Sequence, residues 1–226
     1  MGKIFISCIL LLLCCFSAFA QNSHSQSARV VDSLVIRLDE NNKKSVKEFY
    51  KSIFAMDSLA EEPLLANMCR INNLIEKKSV LSHALVYVSK DNILNELLEA
   101  YNKSSDTLSR DMIVYTILGV RYKFNTTSDL KINPNKEIFP VLIHRLTDTL
   151  DISSIAEGIK TINGIAWLAI QKWGEFRDLK KTFAQDFLET SFEEKKNMQK
   201  ELLKWWKKNG QNVYWDSNIR MFTLPE

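Results

Sequence analysis

The side chains able to do chemistry are sparse and poorly spaced for one another. Histidine occurs only at His24, His83 and His144, and cysteine only at Cys8, Cys14, Cys15 and Cys69. A thiol nucleophile needs a base that makes thiolate. Neither His83 nor His144 stands in a recognisable cysteine-hydrolase motif. Ser82 and Ser89 flank His83 and offer hydroxyl nucleophiles, but a partly buried histidine bonding locally explains His83 more simply. Glu61-Glu62 and Glu193-Glu194 are adjacent carboxylates. Acid–base cleavage asks for two carboxyls facing across a cleft, which spacing cannot show. Acidic pairs at a helix start, where they complement the dipole, are the better reading. The sequence holds no His-Glu-x-x-His, Gly-x-Ser-x-Gly, Cys-x-x-Cys or Asp-rich calcium loop. No catalytic residue, metal ligand or cofactor is assigned.

Function must then rest on the scaffold and its surfaces. At 226 residues, 46% hydrophobic and 25% charged, the chain is long enough for one domain with a sizeable core. Six glycines and four prolines argue against a glycine-laced phosphate loop or a turn-dense β-sandwich. The first twenty residues read as an address. Lys3, an apolar run over 4–13 and the closing Ala18-Phe19-Ala20 are the three parts of a secretory signal peptide. That run is shorter than the ~20 residues of a membrane-spanning helix, so no stable membrane insertion is expected after cleavage at Ala20. The Phe-Ala-Gln junction resembles export signals of the Bacteroidota, which implies a periplasmic or secreted protein. Cleavage leaves Cys69 alone among Met68, Ile71 and Leu74, where a thiol serves as a small hydrophobe. Losing Lys3 with the leader takes the net charge from +3 to +2, a near-neutrality that predicts no strong attraction to nucleic acid.

Behind a flexible start at 21–27, residues 28–226 read as one domain of successive helices. Apolar residues at three- and four-residue spacing predict helices over 28–40, 45–59, 63–76, 93–101 and 108–122. The first of these could also be a strand, and 79–88 fits a helix or a buried strand. Asn133 before Pro134 predicts a helix start. Ser153 or Ser154 would cap another helix, with Ile155, Ile159, Ile162 and Ile165 as its stripe. Ser191 and Glu194 form a capping box ahead of Met198, Leu202 and Trp205, and Gly210 stands where a left-handed C-cap is wanted. Residues 213–215 and 219–222 flank Asp216-Ser217-Asn218 and predict a small C-terminal β-hairpin.

Apolar positions also recur 44 residues apart. Leu64, Leu108 and Ile152 fall in step, as do Met68, Met112 and Ala156, then Ile71, Tyr115 and Ile159. Leu94 with Ile138, and Leu97 with Val141, agree in part. Paired helices recurring at ~40–47 residues mark helical arrays. The run from Arg110 to Leu118-Gly119, the unit around Ile138, Leu146 and Asp148, and the Trp205-Trp206, Asn209-Gly210, Trp215 ending carry a resemblance to the HEAT-like helical repeat family. It covers about residues 60–216 and departs from the pattern at Ser154, where the repeat arginine is missing, and in the loop 123–133. The resemblance implies an all-α fold, a short α–α superhelix of HEAT/armadillo-like hairpins that binds other macromolecules. It supplies no catalytic residues.

The expectation is an exported scaffold or inhibitor in the cell envelope with a protein partner and no catalysis of its own. The competing reading is an envelope hydrolase with acids on separate helices. A concave face lined by second helices, with Arg110, Tyr115, Arg121 and Lys160, is the expected partner surface. The last helix, with Lys195, Lys196, Lys200, Lys204, Lys207 and Lys208, reads as a solvated face or as a contact for an acidic partner or the anionic envelope surface. Trp167, Trp173, Phe176, Trp205, Trp206, Tyr214 and Trp215 are expected to glue the last helices into a terminal cap.

Overall fold

The computed structural model describes residues 25–72, 74–127, 132–156, 159–176, 187 and 189–225. The leader at 1–20, Gly158 and most of 177–188 lie outside the described residues. The fold is all-α with a two-stranded antiparallel sheet at the C-terminus. Helix α1 (25–37) begins within the stretch expected to be flexible. There follow α2 (Lys43–Met56), α3 (Glu61–Arg70), α4 (Ile75–Val88), α5 (Ile93–Lys103) and α6 (Thr107–Thr126). Then come α7 (Ile138–His144), α8 (Ile162–Trp173) and α9 (Phe192–Asn209). Strands β1 (Tyr214–Asp216) and β2 (Met221–Thr223) close the chain as the expected hairpin, Trp215 opposite Phe222.

Most local signals hold, and the exceptions have physical reasons. Residues 79–88 are helical because their apolar side chains are buried against α3 and α6 rather than alternating across a sheet. The helix expected to reach residue 76 stops at Arg70, and Ile75 opens the next one. Asn133-Pro134 does not start α7. The Asn133 amide instead bonds the Asp91 carbonyl at 2.7 Å, and Pro140 falls in the first turn, where its missing N–H is harmless. Ser153 and Ser154 do not cap α8. Residues 152–156 are not helical, the Ile152 N–H bonds the Lys160 carbonyl, and the helix waits until Ile162. The capping box at Ser191 and Glu194 is present. Gly210 is not left-handed: its φ is −58°. A Cβ there would come within 2.8 Å of the Trp206 ring, so glycine is needed for close approach.

The helices pack as hairpins α3/α4, α5/α6 and α7/α8, set side by side. Helices α4, α6 and α8 form one continuous row, with α2 beside α4; α3, α5 and α7 form a second, sparser row that α9 extends. The core lies between the rows, with Met68, Leu85, Leu97, Ile117, Phe139 and Ile165 at 1% exposure or less. The 44-residue register is corrected by this arrangement. It holds for α5 and α7, but α3 belongs to the opposite row from α6, and of the described positions 44 beyond α6 only those from Ile162 onward are helical. Starts in one row, Glu61, Ile93 and Ile138, are spaced by 32 and then 45 residues.

Scarcity of glycine shapes how helices end. An α-helix leaves its last carbonyls unbonded, and a left-handed glycine commonly folds the chain back to satisfy them. Here α3, α4, α6 and α8 all run on into extended residues. Their carbonyls are taken by donors from neighbouring elements instead. Lys78 on α4 donates to the Met68 carbonyl of α3 at 2.7 Å, and Lys123 on α6 donates to the Tyr87 and Ser89 carbonyls of α4. Arg121 on α6 donates to Lys172 O of α8, and Arg220 beyond β1 to Phe124 O of α6, both at 2.7 Å. Gln199 on α9 bonds Ile143 O and His144 O at the end of α7, while Lys136 gathers the carbonyls of Gly210, Gln211 and Val213 after α9. A cation also suits the negative end of the helix dipole. Helices α3, α4, α6, α7 and α8 are thus finished by neighbouring elements.

Two buried carboxyls make stability fall as pH rises, opposed below about pH 6.5 by His83, whose pKa burial lowers. Burial, and then Glu96, pushes Glu61 up to about 7 from an ordinary 4.5. Burial pushes Asp111 up to about 7 from 3.8, with Arg145 pulling down and Asp148 pushing up. Folded chains keep these protons between about pH 5 and 7, where unfolded chains have shed them, so stability falls as pH rises through that window. Asp106 runs the other way. Burial raises it, but bonds from Ser109 and Lys78 outweigh burial and hold it low, so its contribution is lost only in acid. The melting temperature is expected to be about 5 °C higher at pH 5 than at pH 8. Replacing both groups (Glu61→Gln with Asp111→Asn) should flatten that slope in thermal unfolding, and a rise of stability from pH 5 to 8 would contradict the assignment.

Candidate functional site

An aromatic face runs across α2, α4 and α6. Four-residue spacing sets Tyr50 and Phe54 on one side of α2, and His83 and Tyr87 on one side of α4. On α6, Tyr115, Gly119 and Tyr122 share a face. The rings then meet across helices. Tyr50 stacks on Phe54 with centroids 5.5 Å apart, Phe54 on Tyr87 at 3.7 Å, and His83 meets Tyr115 edge-on at 5.6 Å. Gly119 lets α4 and α6 approach: a Cβ there would lie 2.9 Å from Val86 Cγ2.

Polar groups fix the orientation of these rings. The Tyr115 hydroxyl donates to Ile155 O at 3.2 Å, so His83 Nε2, 2.9 Å away, donates to it in turn. The Lys123 ammonium lies 5.9 Å from the centre of the Tyr87 ring while capping α4. Burial lowers the Lys123 pKa, with Glu61 and Asp57 pulling it back up. Burial, helped by Tyr115, pushes Tyr50 up to about 12, and burial also raises Tyr115. These phenols stay protonated, so they act as amphipathic contact surface and hydrogen-bond donors rather than as nucleophiles. Tyr87 and Tyr122 are 59% and 45% exposed.

The residues singled out from sequence do not converge. Arg110 and Arg121 lie on one side of α6 but eleven residues, about 16 Å, apart along it, and Tyr115 points about 120–140° round the helix from both. Tyr115 belongs to the aromatic face. Arg110 turns away, its guanidinium 5.5 Å from the Tyr101 ring that also carries Arg145. Arg121 is corrected outright: at 3% exposure it is a core residue, lodged against Phe124, Trp173 and Trp215. Burial first, then Arg220, lowers its pKa to about 10, which leaves it charged and ending α8. Lys160 is exposed on the turn before α8, and Lys200 and Lys204 are exposed on α9. Sequence reasoning missed Phe54 and Tyr87 and read His83 as bonding locally, where its partner is Tyr115 on α6; the signal was the four-residue pairing Tyr50/Phe54 and His83/Tyr87.

A groove of about 870 Å³ lies on the other row, between α3 and α5, lined by Glu62, Cys69, Arg70, Glu96, Lys103 and Asp106 among others. Its charges are largely answered within the chain, Arg70 by Asp32 and Lys103 by Glu99. Burial raises the Cys69 thiol, which disfavours thiolate there. Beneath it Lys78 contacts Ser109 Oγ, but both side chains are at 0% exposure and Lys78 is paired with Asp106 at 3.1 Å. This is a structural clasp. Among the described residues, no group of three or more His, Cys, Asp or Glu is set to hold a metal ion. No protein-family model, curated protein or solved structure matches the chain.

Proposed function

We propose that this chain is an exported helical-repeat protein of HEAT-like type that binds a protein partner in the cell envelope, as scaffold or inhibitor, through the aromatic face of α2, α4 and α6. One observation carries the reading: Tyr87, stacked on Phe54, and Tyr122 on the neighbouring helix stand exposed on the continuous row. Tyrosine presents a large rigid area with a polar tip, and buried aromatic anchors supply most of the energy of protein interfaces. Stacking on Phe54 holds Tyr87 in place beforehand, which lowers the ordering entropy lost on binding. Helices α4, α6 and α8 pack against one another more extensively than α3, α5 and α7, so the row that carries this face is the more continuous of the two. The signal-like leader supports export, and the two rows of hairpins support the repeat reading.

The test is site-specific photo-crosslinking in the producing cell. A crosslinking side chain in place of Tyr122 is expected to give a discrete protein adduct, whereas one in place of Glu99 on the α3/α5 groove gives none. Adducts from Glu99 alone, or from neither position, would overturn the proposal.

A further inference from the structure

The charge of this chain is concentrated on one helix. Helix α9 carries six lysines and three glutamates, a net +3 equal to that of the whole chain, and beyond its first turn residues 195–209 carry six lysines and a single glutamate. On α9 at about 100° per residue, Lys196, Lys200, Lys204, Lys207 and Lys208 fall within an arc of about 120°. All five are exposed, and the opposite side of α9, through Leu202 and Gln199, is turned to α7. Glu201 stands at the margin of the arc, and Glu193 reaches Lys196 at 3.7 Å. The lysine stripe is about 18 Å long. Large apolar residues stand exposed at both ends of it: Phe192 at 53% on the first turn, and Tyr214 at 47% and Ile219 at 48% on the hairpin beyond.

We infer that α9 and the hairpin form a peripheral docking surface for an anionic phospholipid bilayer. Charge complementarity supplies the attraction, and Phe192, Tyr214 and Ile219 supply apolar contact at headgroup depth. Every cation on α9 is lysine, and Arg220 of the hairpin is spent on the Phe124 carbonyl. Lysine is a mobile point charge suited to a diffuse sheet of phosphates, whereas arginine forks recognise individual carboxylates or phosphates on a shaped partner. No helix among the described residues is long and apolar enough to cross a membrane, so the contact is made from the surface. The surface lies on the α9 end of the second row, away from the aromatic face, which leaves that face free while the protein is held at the membrane.

Vesicle flotation tests this with the purified protein. Vesicles of phosphatidylcholine containing roughly a third phosphatidylglycerol should carry the protein, and phosphatidylcholine alone should not. Binding should fade between about 0.1 M and 1 M salt as the Debye length shrinks from about 10 to 3 Å. Neutralising the stripe (Lys196→Gln, Lys200→Gln, Lys204→Gln, Lys207→Gln) should weaken partition at least about a hundredfold with helix content unchanged. Removing three exposed charges from α2 (Lys43→Gln, Lys44→Gln, Lys47→Gln) should leave it unchanged. The inference is overturned by three results: no binding to the anionic vesicles, equal losses in both variants, or retention on immobilised polyglutamate without vesicle binding, which would assign the stripe to an acidic protein.

Discussion

Lys78→Ala is expected to destabilise the protein by about 3–5 kcal/mol, a large part of the ~5–15 kcal/mol that holds a domain of this kind folded. Lys78 is at 0% exposure and is the point where three elements are joined. Its ammonium donates to Met68 O at the end of α3, contacts Ser109 Oγ and pairs with Asp106, which in turn caps the start of α6 through the Ser109 amide at 2.8 Å. Removing it strands a carboxylate and a carbonyl and leaves a cavity where a long side chain was packed. Asp106 retains 32% side-chain exposure, so water can relieve part of the penalty. Lys78→Met keeps the volume and should be milder, and Asp106→Asn in that background should recover stability, since it removes the charge left unpaired. Lys123→Met, removing a less enclosed donor, should cost only about 1 kcal/mol. Urea unfolding measures all four. A loss below about 1 kcal/mol for Lys78→Ala would show that neighbouring donors do not hold these helix ends.

That dependence makes the array more than a row of independent hairpins. Lys78, Lys123, Arg121 and Arg220 each finish a helix other than their own, so fraying one helix releases a charged donor from another. Unfolding should therefore be cooperative across α3 to α8. The hairpin belongs to the same system, because Arg220 bonds Phe124 O while Trp215 packs against Phe124 and Trp173. Of the aromatic residues expected to glue the last helices together, Trp173 and Phe176 are buried and Trp167, Trp205, Trp206 and Trp215 pack against the core, while Tyr214 stands in solvent.

What could be read from the sequence followed the range of the forces involved. Helical spacing, the capping box at Ser191 and the hairpin around Asp216 are local, and each reports itself within a few residues. Helix ends were harder. Asn133 and Ser154 offer good local starts, but the Asn133 amide is drawn to Asp91 and the chain at Ile152 to Lys160, contacts no window of sequence reveals. The 44-residue register misled for a related reason: apolar stripes on any two helices can be slid into step, and only packing decides which row a helix joins. For the candidate site, Tyr115 was legible while Arg121 was not. An arginine in a helix interior reads as surface, yet this one lies against three aromatic rings with its charge spent on a helix end.

The second large effect concerns binding. Once the protein held by the Tyr122 crosslink is in hand, the double variant Tyr87→Ala with Tyr122→Ala is expected to weaken its affinity about a hundredfold or more. Each ring is an exposed anchor of the size that yields ~2 kcal/mol or more at an interface centre. Neither is in the core, so the fold should be unchanged and the melting temperature only a few degrees lower, from loss of the Phe54–Tyr87 stack. The matched control, Glu99→Ala with Lys103→Ala on the α3/α5 groove, should bind as the parent does. The decisive measurement is the dissociation constant of that partner for these two variants beside the parent. A loss confined to the tyrosine pair is what an aromatic docking face requires, and a loss confined to the groove pair, or none in either, would contradict it.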